Sequence, residues 1–207
     1  MMPKPKNVEE YIAMQRTGIA ANPDCGTSHY NLAVGLMGQK KYNEAEKELF
    51  AAIDCSPSLA EAYVQLGGIC LQRGDLDGCL EYNKQATKAR AGFFEGYGNM
   101  GFVHLQRGDT EKAIAALKKA ITFNSRFIQA HSTLASAYLM SGLIDESIEA
   151  NLKVIELDPN FAIAYNNLAI AYLEKGEYDK AVESCDKATK FGYEVAPKIL
   201  KEIETYR

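Results

Sequence analysis

The chain has 207 residues, enough for one or two domains, with 47% hydrophobic residues and a net charge of −4. No Lys/Arg-rich run appears, which argues against a nucleic-acid partner. No stretch of about 18 apolar residues occurs, so direct membrane insertion is not expected either. The opening MMPKPKNVEEY lacks the apolar centre of a signal peptide, and the expected location is cytoplasmic. The five cysteines, Cys25, Cys55, Cys70, Cys79 and Cys185, are odd in number and form no C-x-x-C pair, so neither a disulfide framework nor a metal site is expected.

Met1–Lys6 is expected to be disordered, and residues 8–21, VEEYIAMQRTGIAA, to form a helix that ends before Pro23. From residue 26 onward the chain repeats itself every 34 residues. Stepping by that period from His29 reaches Tyr63, Tyr97, His131 and Tyr165, and from Leu32 it reaches Leu66, Met100, Leu134 and Leu168. Three columns are small in nearly every unit: Ala33/Gly67/Gly101/Ala135/Ala169, Ala45/Cys79/Ala113/Ser147/Ala181 and Ala52/Ala86/Ala120/Val154/Ala188. Fourteen of these fifteen residues are Ala, Gly, Ser or Cys, as two closely approaching helices require. Within YNNLAIAYLEKGEYDKA (165–181), Leu168, Ala169 and Tyr172 share one helical face, Gly176 stops the helix, and Asp179 opens the next apolar run. Gly74, Gly108 and Gly142 stand at the same stop, where the first unit has Lys40. Pro57 and Pro159 end second helices.

The units resemble tetratricopeptide (TPR) repeats. Their helix–turn–helix pattern has aromatic, Leu-Gly/Ala, Tyr, Gly, Ala, Ala and Pro landmarks. The last unit is the best match, with Tyr165, Leu168, Ala169, Tyr172, Gly176, Tyr178, Ala181 and Ala188 in place. The resemblance implies an all-α fold, a right-handed TPR α-solenoid of five 34-residue helix–turn–helix units with capping helices at both ends. The expected units are 26–59, 60–93, 94–127, 128–161 and 162–195. Residues 1–25 would be a tail and a capping half-repeat, the second helix of an incomplete unit. Residues 196–207 would close the array with Ile199, Leu200 and Ile203 turned inward. The junction KARAGFFEGY (88–97) lacks a proline and carries Phe93 and Phe94. It reads either as aromatic packing between units or as a hinge near Gly92.

A search for chemistry finds little. His29 and His131 occupy the aromatic column and His104 the column of Tyr138 and Tyr172, all packing positions. No H-E-x-x-H, P-loop or G-x-G-x-x-G segment occurs, and GYGNMG (96–101) falls inside a first helix. Cys70 and Cys79 face each other across their unit, either as a thiol pair or as two small buried hydrophobes. The chain is not expected to be an enzyme or to need a cofactor.

In TPR arrays the first helices line a groove that binds partners, so the resemblance points to particular columns. One is polar and uncharged throughout: Asn31, Gln65, Asn99, Thr133 and Asn167. It reads either as a ladder that holds a peptide backbone or as polar packing between helices. A second, Met37, Leu71, Leu105, Leu139 and Leu173, is apolar throughout. Tyr30, Val34, Val64, Phe102 and Ile170 would complete an apolar floor, unless the leucines pack against the next unit instead. TPR co-chaperones hold a C-terminal carboxylate with a Lys and an Asn four residues apart. The matching pairs here, Tyr30/Val34, Val64/Gly68, Gly98/Phe102, Ser132/Ser136 and Asn166/Ile170, contain no such combination, so no EEVD-type carboxylate clamp is expected. The expected function is that of a protein–protein interaction adaptor or assembly scaffold with a protein or peptide partner. Homo-oligomerisation is a further option, through a half-repeat docked in a neighbour's groove. The alternative is a trans-acting accessory subunit or peptide-sensing regulator of an enzyme complex.

Overall fold

A computed structural model describes residues 5–207 and builds them from twelve helices, with no strand among the described residues. They are α1 (Val8–Ala21), α2 (Gly26–Gly38), α3 (Tyr42–Cys55), α4 (Ala60–Gln72), α5 (Leu76–Ala89) and α6 (Phe94–Gln106), followed by α7 (Thr110–Phe123), α8 (Ile128–Met140), α9 (Ile144–Leu157), α10 (Ala162–Lys175), α11 (Tyr178–Lys190) and α12 (Pro197–Glu204). The fold is an all-α solenoid of antiparallel helix pairs. The chain divides into two compact units, the second beginning at Tyr97 in the first turns of α6. Of the segment expected to be disordered, residues 1–4 lie outside the described residues, and the Lys6 N–H donates to Glu10 Oε2 at 2.8 Å.

In the first unit α1 lies on α2, α2 pairs with α3, α3 touches α4, and α4 pairs with α5. The pairing follows from the small columns. Ala33, Ala45 and Ala52 are wholly buried at one seam, as are Ala86 and, within 2% of full burial, Cys79 at the next. These residues let helix backbones come close, and Leu36, Leu49, Leu66 and Ile69 fill the space beside them. The α1 start is fixed by Asn7, whose side-chain oxygen accepts from the Glu10 N–H at 2.8 Å. Phe93 is buried against Ala60, Ala86, Tyr63 and Val64, with the Arg90 guanidinium 4.2 Å from its ring centre. Aromatic packing thus fills the place where a proline was missing.

In the second unit α8 pairs with α9 and α10 with α11, while α7 lies on α8, α9 on α10 and α12 on α11. A Cβ on Gly101 of α6 would stand 2.5 Å from Leu117 Cγ of α7, so a larger residue here would have to displace that leucine. Ala135, Ser147 and Val154 are fully buried at the α8–α9 seam, and Ala169, Ala181 and Ala188 at the α10–α11 seam. The closing helix is shorter than expected and its inward face narrower. Ile203 is fully buried and Ile199 partly so, but Leu200 is 40% exposed. Ile199 and Ile203, four residues apart, share a face, and Leu200 is turned about 100° away from Ile199. The end is held by Tyr206 stacked on Tyr178 at 3.7 Å and by Arg207 bonded to Asp186.

Two columns show what the period selects for. The first helices stop with a left-handed residue at Gly74, Gly108, Gly142 and Gly176, with φ between 73° and 78°. Lys40, the non-glycine at that stop, takes φ 60° and carries the strain that glycine avoids. The aromatic column tolerates both His and Tyr because each reaches the carbonyl six residues back. His29 Nε2 meets Pro23 O at 2.9 Å, His131 Nε2 meets Ser125 O at 3.0 Å, and Tyr165 OH donates to Pro159 O at 3.0 Å. Each ring therefore ties the start of a first helix to the loop before it.

Candidate functional site

The predicted groove residues separate into three groups. Tyr30 and Met37 are half-buried against the core formed by Leu32, Leu36 and Leu49. Val64 packs into the cluster around Phe93, while Asn31, Gln65 and Leu71 are half-buried on α2 and α4. Leu105, Leu139 and Leu173 lean on the cores of the second unit. The leucine column is thus partly consumed by packing. Its residues sit on the edge between the seam and the outer face, so a sequence reading assigns them equally to both. Val34 and Phe102 are each 39% exposed, and Ile170 is half-buried.

The polar column behaves differently from one helix to the next. Thr133 Oγ1 donates to Gln129 O of its own helix at 2.8 Å. Asn167 is buried, and its Nδ2 donates to Ser136 Oγ on α8 at 3.2 Å. At Asn167 the amide therefore joins neighbouring first helices, the packing alternative of the sequence reading.

Three predicted residues do come together. Asn99 and Phe102 of α6 and Thr133 of α8 line one depression of about 310 Å3 in the second unit, together with Phe161 and Ile163. Phe127 forms its inner wall, and α6 admits it because Gly98 has no side chain. A Cβ on Gly98 would fall 2.6 Å from the Phe127 ring. Phe102 and Ile163, 39% and 43% exposed, stand at the rim. The remaining lining, Gln129, Ala130 and Ser132, is uncharged like the rest. A charged ligand meets no countercharge here, and desolvating it would cost free energy without return. An apolar side chain, by contrast, would gain from burial here.

Sequence reasoning missed Phe127, Phe161 and Ile163. A signal existed for the first two: Leu59, Phe93, Phe127 and Phe161, 34 residues apart and immediately before α4, α6, α8 and α10, are all apolar. Helix starts usually favour a small polar residue there. Leu59, Phe127 and Phe161 indeed make no side-chain cap hydrogen bond, so packing, not capping, selected them.

Several titratable groups elsewhere are held in packing and hydrogen bonds. All five cysteines are free, and Cys70 and Cys79 are buried. Burial first, then the Asp75 carboxylate, pushes the Cys70 thiol above its usual range and keeps it neutral. His29 lies between two acceptors, with Nδ1 2.7 Å from Glu48 Oε2 and Nε2 facing the Pro23 carbonyl. Burial pulls its pKa down, but the hydrogen bonds to Glu48 and Pro23 outweigh it and the net shift is upward. Among the described residues no group of three or more His, Cys, Asp or Glu could hold a metal ion, and no helix is long and apolar enough to cross a membrane.

Comparison with known proteins agrees with this architecture. Tetratricopeptide repeat patterns match residues 128–161 and 150–183, and a TPR repeat pattern matches 101–142. Residues 101–183 therefore carry tetratricopeptide repeats. No curated protein matches it significantly. Among solved structures it is similar to YrrB, described as a TPR protein with an unusual peptide-binding site, at 20% identity and TM-score 0.72 over 92% of this chain and 97% of that one. It is also similar to MamA at 25% identity and TM-score 0.69, covering 82% of this chain and 92% of that one. PilF of Pseudomonas aeruginosa superposes with TM-score 0.83 at 14% identity, over 97% of this chain and 90% of that one.

Proposed function

We propose that this chain is a cytoplasmic, non-catalytic protein-interaction scaffold. It reads as five TPR units, 26–59 to 162–195, between caps at 1–25 and 196–207. In this reading the first helices receive a peptide or helical segment of a partner, anchored by a large apolar side chain in the depression between Asn99, Phe102 and Thr133. The observation that carries it is an uncharged pocket of about 310 Å3 with two exposed apolar residues at its rim. That volume is at the lower end of ligand sites and matches one bulky side chain better than a whole cofactor. The similarity to YrrB, described as having an unusual peptide-binding site, supports the same kind of use.

Selection from a random peptide library tests this directly. Peptides that bind the wild type should share a large apolar residue and lose at least tenfold in affinity against Phe102→Glu. Selected peptides that bind Phe102→Glu equally well would contradict the site. A peptide ending in EEVD should bind no tighter than about 1 mM, because no Lys/Asn pair is present to hold its carboxylate. Micromolar binding would overturn that part.

A further inference from the structure

Helix α8 has a second occupied side. Its residues Gln129, Ser132 and Thr133 face the depression described above, whereas His131, Leu134 and Tyr138 form the floor of a separate groove of about 690 Å3 between α7 and α9. The floor is apolar and nearly closed: Leu134 and Tyr138 are 6% and 9% exposed. Ile121 of α7 and Ala150 of α9 continue it up the walls. Leu152 stands on the α9 wall at 50% exposure. Residues 34 apart at that outward position are Phe50, Lys84, Lys118, Leu152 and Asp186, so an apolar side chain here departs from the charged residues of three other units.

The two walls differ in charge. On the α7 side Lys118 lies 5.7 Å from the centre of the Tyr138 ring. On the α9 side Glu146, Glu149, Lys153 and Glu156 recur once per turn. Lys153 is neutralised by Glu156 at 2.7 Å. Glu146 and Glu149 make no ion pair among the described residues, which leaves that wall with two uncompensated negative charges beside an apolar floor. The α9 wall spans Glu146 to Glu156, three helical turns or about 15 Å.

We propose that this groove docks an amphipathic helix of a protein partner, with its apolar face on Leu134, Tyr138 and Leu152 and lysines or arginines along the flank that meets Glu146 and Glu149. A groove between two helices, lined over three turns of α9 by Glu146, Glu149 and Glu156, fits a helix of the same pitch. The site is distinct from the peptide depression and does not depend on it, so one scaffold unit engages two partners on opposite sides of α8.

The test uses the full chain and two labelled helical peptides of roughly 18 residues, long enough to populate a helix. Both carry leucines on one face; one has flanking lysines and the other glutamates in their place. The lysine peptide should bind at least tenfold more tightly than the glutamate peptide by fluorescence anisotropy. Leu152→Lys should weaken it tenfold or more, and so should Glu146→Lys with Glu149→Lys, while Phe102→Glu leaves it unchanged. All three changes are at exposed or rim positions, and circular dichroism checks that each variant stays folded. Equal binding of the two peptides would overturn the proposal, as would a loss caused by Phe102→Glu but not by Leu152→Lys. Sedimentation showing self-association that Leu152→Lys abolishes would overturn it too, because the occupant would then be a second copy.

Discussion

Along the seam between paired helices each unit repeats the same small side chains, while the outward position of the second helices varies in size and charge: Lys84, Lys118 and Asp186 in three units, Phe50 and Leu152 in the other two. The first region is set by the distance between two backbones and punishes every added atom. The second is set by what touches the surface from outside, and packing leaves it free. Pattern therefore reports the fold, and departure from pattern reports use. The Gly98–Phe127 contact and the exposed Leu152 are both departures, and both border a cavity.

The sharpest way to break this comparison is to exchange the demands of the two regions. Gly101→Leu adds a side chain where Leu117 already stands 2.5 Å from the Cβ position, and should cost about 3 kcal/mol in urea unfolding. Leu152→Lys changes an exposed side chain and should cost less than about 0.5 kcal/mol. Equal costs would mean that the outward position also belongs to the core.

Within the seam, one position breaks its own rule. The column Leu49, Asn83, Leu117, Asn151 and Cys185 is buried throughout, yet Asn151 Oδ1 has no hydrogen-bond partner. Its Nδ2 bonds only back to Ser147 on its own helix. Asn151→Leu should raise stability by about 1–2 kcal/mol, since an unpaired buried carbonyl is removed and leucine already fits the column twice. A loss of stability would show that the amide has a partner in solution.

At the helix stops the comparison is between Lys40 and the four glycines. Lys40→Gly should stabilise by about 1 kcal/mol, because the left-handed conformation strains lysine and not glycine. An unchanged melting temperature would place the strain elsewhere.

The smallest effect concerns His29 against its column mate Tyr165. Its raised pKa means that the folded state holds the proton more tightly than the unfolded chain does. The stabilisation is therefore fully present below the unfolded value of about 6.5 and is lost as pH rises through the folded value. The melting-temperature deficit of His29→Gln should be larger at pH 5.5 than at pH 8.5, and the reverse ordering would contradict the Glu48 pairing.

Much of the fold was legible because close helix packing writes itself into small residues at a fixed spacing. The α1 helix over 8–21, the glycine stops and the helical placement of GYGNMG all follow from that period. Leu200 was misread because an apolar residue in a short end helix has only one neighbour to face. The candidate site was half legible. Asn99, Phe102 and Thr133 share a column logic that the period exposes. Phe127 and Ile163 reach the pocket from helix starts, and nothing in the spacing shows that Gly98 opens the space for a phenyl ring.

The most direct test of the account is capture from a lysate of the source cell, comparing the wild type with Phe102→Glu/Ile163→Glu, both at exposed positions on the pocket rim. The account predicts a protein retained by the wild type and lost from the variant, with the circular dichroism spectra of the two superimposable. The same proteins retained by both would contradict a binding face on the first helices.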